Sequence, residues 1–364
     1  MLNPNIGDAM LSLNEYKRYS RHLILENIGR EGQERVKAAK VICIGAGGLT
    51  SPILMYLSAA GIGFIGIVDN DEVEISNLQR QIIYDISNIG QSKITSAKSR
   101  LIALNPYCNV EIYYTKLSEI NAYDIISKYD IIIDGSDNFS TRYILSDICS
   151  LLFKPLVYGA IFQFTGQISV LNYQGGPSYY ALCPYQPPAN LIPSCSEGGI
   201  LGPLSGVIGS LQAVEVLKII LGIGQVLSGK ILVYDALRIK FSYIDMGSAS
   251  YMTPANILSS TTLFNCNTTK TTGNDKLKKK LLLSKNNNIL IDVRMSYEYN
   301  IYHHSNAINI PLSKLEKLKN LIFLLKKSKS NKNLIIYCQS KSRSAVANKI
   351  LLKYQIASII LKLD

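Results

Sequence analysis

Residues 40–80 read KVICIGAGGLTSPILMYLSAAGIGFIGIVDNDEVEISNLQR, and the fold is decided there. An apolar run over 41–44 meets Gly45-Ala46-Gly47-Gly48, a helical segment follows over 49–60, and a second apolar run over 64–68 ends on Asp69. Strand, glycine turn, helix and strand in that order make a nucleotide-binding βαβ unit. The glycines let the backbone turn tightly and approach a phosphate chain, whose charge is favoured by the N–H groups that open the next helix. Asp69, about twenty residues after the turn, is placed to accept from a ribose hydroxyl. The unit specifies a nucleotide and leaves the reaction open.

Outward from this unit, strands and helices alternate. Residues 12–39 carry apolar residues at helical spacing, and helices are expected over 92–104, 141–153 and 204–221, with strands over 110–115, 129–134, 156–158, 167–171 and 230–235. This is an α/β chain with a mostly parallel sheet and helices on both faces. Strand 230–235 is expected to close the first domain, residues 1–246. Residues 174–203 form a proline- and glycine-rich loop, and 247–274 are rich in Ser, Thr and Asn, a linker composition. A second, smaller α/β pattern occupies 275–364, anchored by strands at 289–293, 334–338 and 359–361 and by the segment 307–311.

Composition limits the functions available. With 364 residues and 47% hydrophobic content the chain can fill two cores. Its most apolar segment, 198–224, is broken by glycines and Pro203 and carries Glu215 and Lys218, so it reads as a buried helix rather than a membrane span. No secretory signal is expected at the start, where Asp8, Glu15, Lys17 and Arg18 interrupt any apolar core, and seven cysteines, an odd number without a tight framework, point to free thiols in a reducing compartment. Residues 1–245 hold 19 basic and 21 acidic side chains, and 246–364 hold 19 and 5, so the net charge of +12 belongs to the C-terminal third. The lysines there lack the interleaved aromatics of a nucleic-acid platform. They make either a solvated face or a docking surface for an acidic protein. Absence of Trp with abundant Ile, Lys, Asn and Tyr suggests coding under A+T pressure.

Cations near the nucleotide unit narrow the chemistry. Ser76-Asn77-Leu78-Gln79-Arg80 follows Asp69, and Lys93 stands in Gly90-Gln-Ser-Lys93. A triphosphate under attack needs positive charge on its oxygens, whereas hydride transfer does not. Against this stands the reading of Arg80 and Lys93 as ordinary surface residues. Asp137, just past a strand end, could hold Mg²⁺ or cap the following helix.

The ordered motifs Arg18-Tyr-Ser-Arg21-His, Gly-Ala-Gly-Gly-Leu, Asp69-Asn-Asp71, Ser76-Asn-Leu-Gln-Arg80-Gln, Gly90-Gln-Ser-Lys93 and Ser136-Asp137-Asn138 resemble the ubiquitin-activating superfamily. Within it the chain looks like the molybdopterin-synthase adenylyltransferases and their thiamine-pathway relatives, including forms fused to a C-terminal rhodanese domain. The resemblance implies a Rossmann-like first domain in which ATP and the C-terminal Gly-Gly carboxylate of a ubiquitin-like sulfur carrier form an acyl-adenylate and pyrophosphate. Carried over by position, Gly45, Gly47 and Gly48 hold the nucleotide and Asp69 the ribose. Asn77, Arg80 and Lys93 hold the phosphates, with Ser76, Leu78 and Gln79 lining the same run, and Asp137 with Asn138 serves the metal and the α-phosphate. Arg21 resembles an arginine that reaches into a neighbouring subunit's site, which implies a homodimer.

Cys195 matches a cysteine that relatives use to capture the activated carrier; a buried, unreactive thiol is the competing reading. Cys338-Gln-Ser-Lys-Ser-Arg343 resembles the rhodanese active loop, with Asp292-Val-Arg294 and Ala307-Ile-Asn-Ile-Pro311 matching its preceding segments. N–H groups at a helix start beside Lys341 and Arg343 would favour a persulfide anion on Cys338, loaded by a cysteine desulfurase or another sulfur donor. The domain is expected to be clipped, since it stops shortly after its last strand. Thr50 stands where many relatives have glycine, and is expected to tighten packing. Relatives often carry a zinc site of two Cys-x-x-Cys pairs; Ser178 and Ala181 occupy the first pair's positions here and no second pair follows, so no zinc is expected and packing must hold that loop. Cys43, Cys108 and Cys149 read as core, and the three histidines suggest no metal site.

The expected function is thus ATP- and Mg²⁺-dependent carrier adenylation with sulfur delivery for molybdenum cofactor synthesis. Alternatives are the same chemistry on a thiamine or tRNA-thiolation carrier, a nucleotide-dependent oxidoreductase, or an idle binding protein. Base bias favours a plastid stroma over a bacterial cytoplasm, with no membrane or nucleic-acid partner.

Overall fold

The computed structural model describes residues 9–186, 198–246 and 288–361, apart from 302, 305, 330–332 and 338–340. The chain divides into two compact units.

The first unit is built on one eight-stranded sheet: β1 (Lys40–Ile44), β2 (Phe64–Val68), β3 (Asn109–Tyr113), β4 (Ile131–Asp134), β5 (Leu156–Phe162), β6 (Thr165–Leu171), β7 (Lys230–Asp235) and β8 (Lys240–Asp245), in the order β3-β2-β1-β4-β5-β6-β7-β8. The strands from β3 to β5 in that order run parallel, and β6, β7 and β8 continue antiparallel. β1 is central, with Ile42 level with Gly66 of β2 and Ile132 of β4. Because side chains alternate across a strand, Val41 and Cys43 enter one core, shared with the Thr50–Ala60 helix, while Ile42 and Ile44 enter a second, shared with the Phe139–Leu151 helix. Such two-sided burial explains why β1 and β4 are apolar without polar alternation. Ile42, Ile53, Leu57 and Ile132 are fully buried, each contributing roughly 1.5–3 kcal/mol by leaving water.

The Gly202–Leu221 helix packs on the Thr50–Ala60 helix, β5 and β6. Among the described residues it is the one helix long and apolar enough to cross a membrane, and most of it is buried in the fold, as its sequence suggested. Three readings change. The helical stretch over 12–39 is three helices, Leu13–Arg18, Ser20–Leu23 and Gly29–Ala38, the first two parted at buried Tyr19 and the last two where Ile24 and Leu25 face solvent. The first unit closes on β8, not β7; every β8 residue is exposed, so no buried stripe announced it. Within the long loop, Tyr179–Leu182 forms a helical turn.

The second unit has a four-stranded parallel sheet, β9 (Asn288–Asp292), β10 (Ala307–Asn309), β11 (Asn333–Tyr337) and β12 (Ile359–Leu361), ordered β10-β9-β11-β12. Helices Ser296–Ile301, Leu318–Lys329 and Lys341–Lys353 accompany it, and Ile291, Leu324, Ile336 and Leu351 are fully buried in its core.

Candidate active site

The site grows from the C-terminal ends of β1 and β4, where parallel sheets bind ligands. After β1 the chain turns at Gly45, whose φ of 94° suits glycine and whose Cβ, if present, would lie 2.9 Å from the Gly135 oxygen. Thr50 is fully buried beyond it, with its Cγ2 only 2.2 Å from a Cβ built on Gly135. Thr50 thus fills the space between the two turns, as its bulk suggested.

At the start of the Thr50–Ala60 helix, the N–H groups of Gly47, Gly48 and Leu49 have no protein partner among the described residues. A Cβ on Gly47 would have nothing closer than the Gln81 amide at 4.0 Å. Open space therefore lies beside Gly47, while Arg80 and Ser205 pack against Gly48, and three free donors stand at the positive end of a helix, an arrangement that suits phosphate. The Ala46 N–H is not among them, because it donates to Asp69 Oδ2 at 2.7 Å. Asp69 also accepts from the Asp71 N–H at 2.8 Å, which leaves other lone pairs of its carboxylate for a ligand.

The cations take up positions around this turn. Arg80 packs its Cγ 3.3 Å from a Cβ built on Gly48 and donates through Nη1 to the Ser76 carbonyl at 3.1 Å. Lys93 is 7% exposed, which removes the surface reading for it, and Nζ donates to Asp71 Oδ2 at 2.8 Å. Within Ser76–Arg80, Asn77 is buried and employed locally: Oδ1 accepts from the Glu74 N–H and Nδ2 donates to Ser76 Oγ, both at 3.3 Å. Ser76 Oγ in turn donates to Glu74 at 3.1 Å, Leu78 packs on the core, and Gln79 is exposed.

After β4 the structure separates two roles that the sequence left together. Asn138 caps the Phe139–Leu151 helix, accepting from the Thr141 N–H at 2.9 Å. Asp137 is exposed and its carboxylate has no partner among the described residues. It is not the cap, and it is a free hard-oxygen donor of the kind Mg²⁺ takes.

Four further residues escaped the sequence reading. Asp134, fully enclosed at the end of β4, accepts from Ser136 N–H at 2.9 Å and Oγ at 2.6 Å; burial pushes its carboxyl up, against the pull of Arg142. Arg142 approaches Asp134 at 3.4 Å, donates to the Ser136 carbonyl at 3.1 Å and stacks over Tyr158. Tyr84 donates its hydroxyl to the Ala46 carbonyl at 2.8 Å. Gln81 is 4% exposed beside Gly47, and its Oε1 has no partner among the described residues. Two of these carried a signal: Asp134 is a charge ending an otherwise apolar strand, and Arg142 is the lone cation of its helix.

Arg21 is exposed on the Ser20–Leu23 helix, and Ile24 and Leu25 just after that helix are exposed too. Cys195 and Cys338 lie outside the described residues. Cys43, Cys108 and Cys149 are buried in the core; burial pushes the Cys108 thiol up to about 12 and the other two higher, so they stay protonated. Ser178 and Ala181 offer no thiolate, and the residues present do not fit a zinc ion. That segment is instead held by aromatic packing: Tyr143 meets Tyr179 at 5.3 Å and Tyr180 at 5.1 Å, and its hydroxyl donates to the Cys183 carbonyl at 2.7 Å. A cavity of about 1230 Å³ lies at the opposite end of the sheet from the glycine turn, and its buried carboxylate, Glu215, is already taken by Lys218 and the Leu227 N–H.

In the second unit, Asp292 at the end of β9 binds Arg294, whose guanidinium stacks 5.0 Å over Tyr337, the residue before Cys338. Asn309 ties β10 to the same place through the carbonyls of Asp292 and Arg294.

A doubly wound α/β unit with an anion-facing turn, joined to a small parallel α/β unit, defines a nucleotide-binding enzyme with an appended module. The ThiF family matches residues 19–253 and the rhodanese-like domain matches 274–362. The chain is 44% identical over 366 residues to a probable molybdopterin-synthase adenylyltransferase of Porphyra purpurea, covering 100% of this chain and 95% of that protein. It is 39% identical over 352 residues to the probable adenylyltransferase/sulfurtransferase MoeZ of Mycobacterium tuberculosis, covering 93% and 88%. The crystal structure of E. coli MccB with MccA-N7isoASN matches with a TM-score of 0.58 at 21% identity, over 69% of this chain and 76% of that one, which speaks to the fold alone. This chain belongs to the ThiF family, in the group that carries a C-terminal rhodanese-like domain. The family and fold expected from the sequence are borne out.

Proposed function

We propose that the first unit uses ATP to adenylate the C-terminal Gly-Gly carboxylate of a ubiquitin-like sulfur carrier, and that the second delivers sulfur carried on Cys338, for molybdenum cofactor synthesis. The observation that carries this reading is the set of three N–H groups at Gly47–Leu49 without a partner among the described residues, with Arg80 packed against Gly48. Two anions must meet, so the site has to neutralise charge and fix orientation rather than supply a strong base. The carrier carboxylate attacks the α-phosphorus, pyrophosphate leaves, and sulfur then replaces AMP at the acyl carbon. Arg80, Lys93 and the turn hold the phosphates, and Asp69 the ribose. Asp137 is the side chain that would hold Mg²⁺, which when bound screens phosphate charge. Names borne by relatives support the chemistry.

The functional protein is a homodimer in which Arg21 serves the partner's site; the exposed Ile24 and Leu25 that follow it in the chain support a buried contact. Domain limits are 1–246 and 275–364 with a linker between, and the working compartment is a plastid stroma. The test is incubation with ATP, Mg²⁺ and a carrier ending in Gly-Gly, followed by mass. Acyl-adenylate, and thiocarboxylate once a sulfur donor is added, are expected, together with carrier-dependent exchange of labelled pyrophosphate into ATP. Absence of exchange with tight NAD binding would sink the reading.

A further inference from the structure

The turns after β1 and β4 each contain one residue whose peptide groups are held from both sides. At Ala46 the N–H donates to Asp69 at 2.7 Å and the carbonyl accepts from the Tyr84 hydroxyl at 2.8 Å. At Ser136 the N–H donates to Asp134 at 2.9 Å and the carbonyl accepts from Arg142 at 3.1 Å. In both cases a carboxylate at or just past a strand end takes the N–H, and a donor from a later segment takes the carbonyl. β1 and β4 are neighbours, and the turns touch where Gly45 meets Gly135.

We propose that Tyr84 and Arg142 are positioning residues of the adenylation site, which hold the two ligand-facing turns in their binding geometry before the nucleotide arrives. The inference rests on the adenylation reading given above. A loose turn would have to be ordered on binding, at a cost in conformational entropy, and a preordered one spares affinity that cost. Tyr84 is buried, and burial pushes its phenol far above the ordinary tyrosine value, so it remains a neutral donor. Phenylalanine would fill the same volume and leave the Ala46 carbonyl without its partner. Arg142 has a wider reach: its guanidinium lies over Phe139 and Tyr158, so the Ser136 turn is referred to β5 as well as to its own helix. Neither residue is offered a role in bond making.

The test uses the full chain, as wild type, Tyr84→Phe and Arg142→Lys. Tyr84→Phe should weaken ATP binding about tenfold while leaving the exchange rate at saturating ATP nearly unchanged. Unchanged ATP affinity in a folded Tyr84→Phe protein would overturn the role of Tyr84. Backbone hydrogen exchange of ligand-free wild type supplies a readout that does not depend on a variant folding. The Ala46 and Ser136 amides should exchange far more slowly than those of Gly47 and Gly48; equal, fast exchange at all four would defeat the proposal. Tyr84→Phe should speed exchange at Ala46 alone, and Arg142→Lys at Ser136 alone. If wild type neither binds ATP nor exchanges pyrophosphate, the adenylation reading fails, whereas the amide pattern still judges the clamps.

Discussion

Asp292–Arg294 and Asp134–Arg142 are both buried carboxylate–arginine pairs at strand ends, but they are built differently. Arg294 Nε reaches both Asp292 oxygens at 3.1 Å, Nη2 reaches Oδ2 at 2.6 Å, and the Arg294 N–H adds a bond at 2.9 Å. Arg142 makes a single approach to Asp134 at 3.4 Å and donates to the Ser136 carbonyl. Each guanidinium lies over a tyrosine ring, at 5.0 Å for Tyr337 and 5.4 Å for Tyr158. The tight pair joins residues two apart and staples a strand end. The loose pair gives a donor to the turn after β4, beside the proposed nucleotide site. The difference teaches that two buried pairs can differ in geometry, one closed on itself and the other leaving a guanidinium donor for a neighbouring turn.

Function gives the sharpest break between the two units. Cys338→Ala should abolish sulfur transfer and leave pyrophosphate exchange at the wild-type level; loss of both activities would show that the units do not work separately. Next in size, Arg294→Ala strands a buried Asp292 and should cost the second unit about 3–5 kcal/mol. Domain-resolved unfolding would show it, with the first unit's transition unmoved; a fall in both would undo the view of this pair as a local staple. Arg80→Ala removes a charged donor proposed for phosphate and should weaken ATP binding by about 1.5–3 kcal/mol, read by titration, with thermal stability nearly constant.

The smallest effect concerns a buried charge outside both pairs. Glu15 is 2% exposed; burial pushes its carboxyl up, but Lys37 at 2.9 Å and the Ser12 N–H outweigh this and hold it below the ordinary value of 4.5. An acid with a lowered folded value adds stability above its unfolded value and loses it as pH falls. Wild type should therefore melt above Glu15→Gln at pH 7, with the gap closing as pH drops below 4.5. A gap independent of pH would assign Glu15 a packing role alone.

Much of the architecture was legible because it depends on local pattern. Phe64–Val68, Lys230–Asp235 and Ile359–Leu361 have the limits that their apolar runs suggested. β8 was not legible, since a strand exposed throughout has no stripe to detect. The glycine turn, Arg80, Lys93 and Asp137 could be named from motif and charge, though the free N–H groups that make the turn useful are a fact of three-dimensional accounting. Tyr84 and Arg142 act on carbonyls 38 and 6 residues away. A hydroxyl in a loop and a cation in a helix announce no such target. Asn77 shows the reverse: its amide reads as a ligand contact, yet the structure employs it in a local cap.

Thr50 and Gly135 leave room for only one side chain between them. Substitutions at these two positions must therefore arrive in a fixed order. A lineage that enlarges Gly135 has to shrink Thr50 first, and one that shrinks Thr50 removes the nearest obstacle at Gly135, leaving the Ile44 carbonyl as the next. Neither site can be scored alone in a mutational scan, since the tolerance measured at one is inherited from whatever stands at the other.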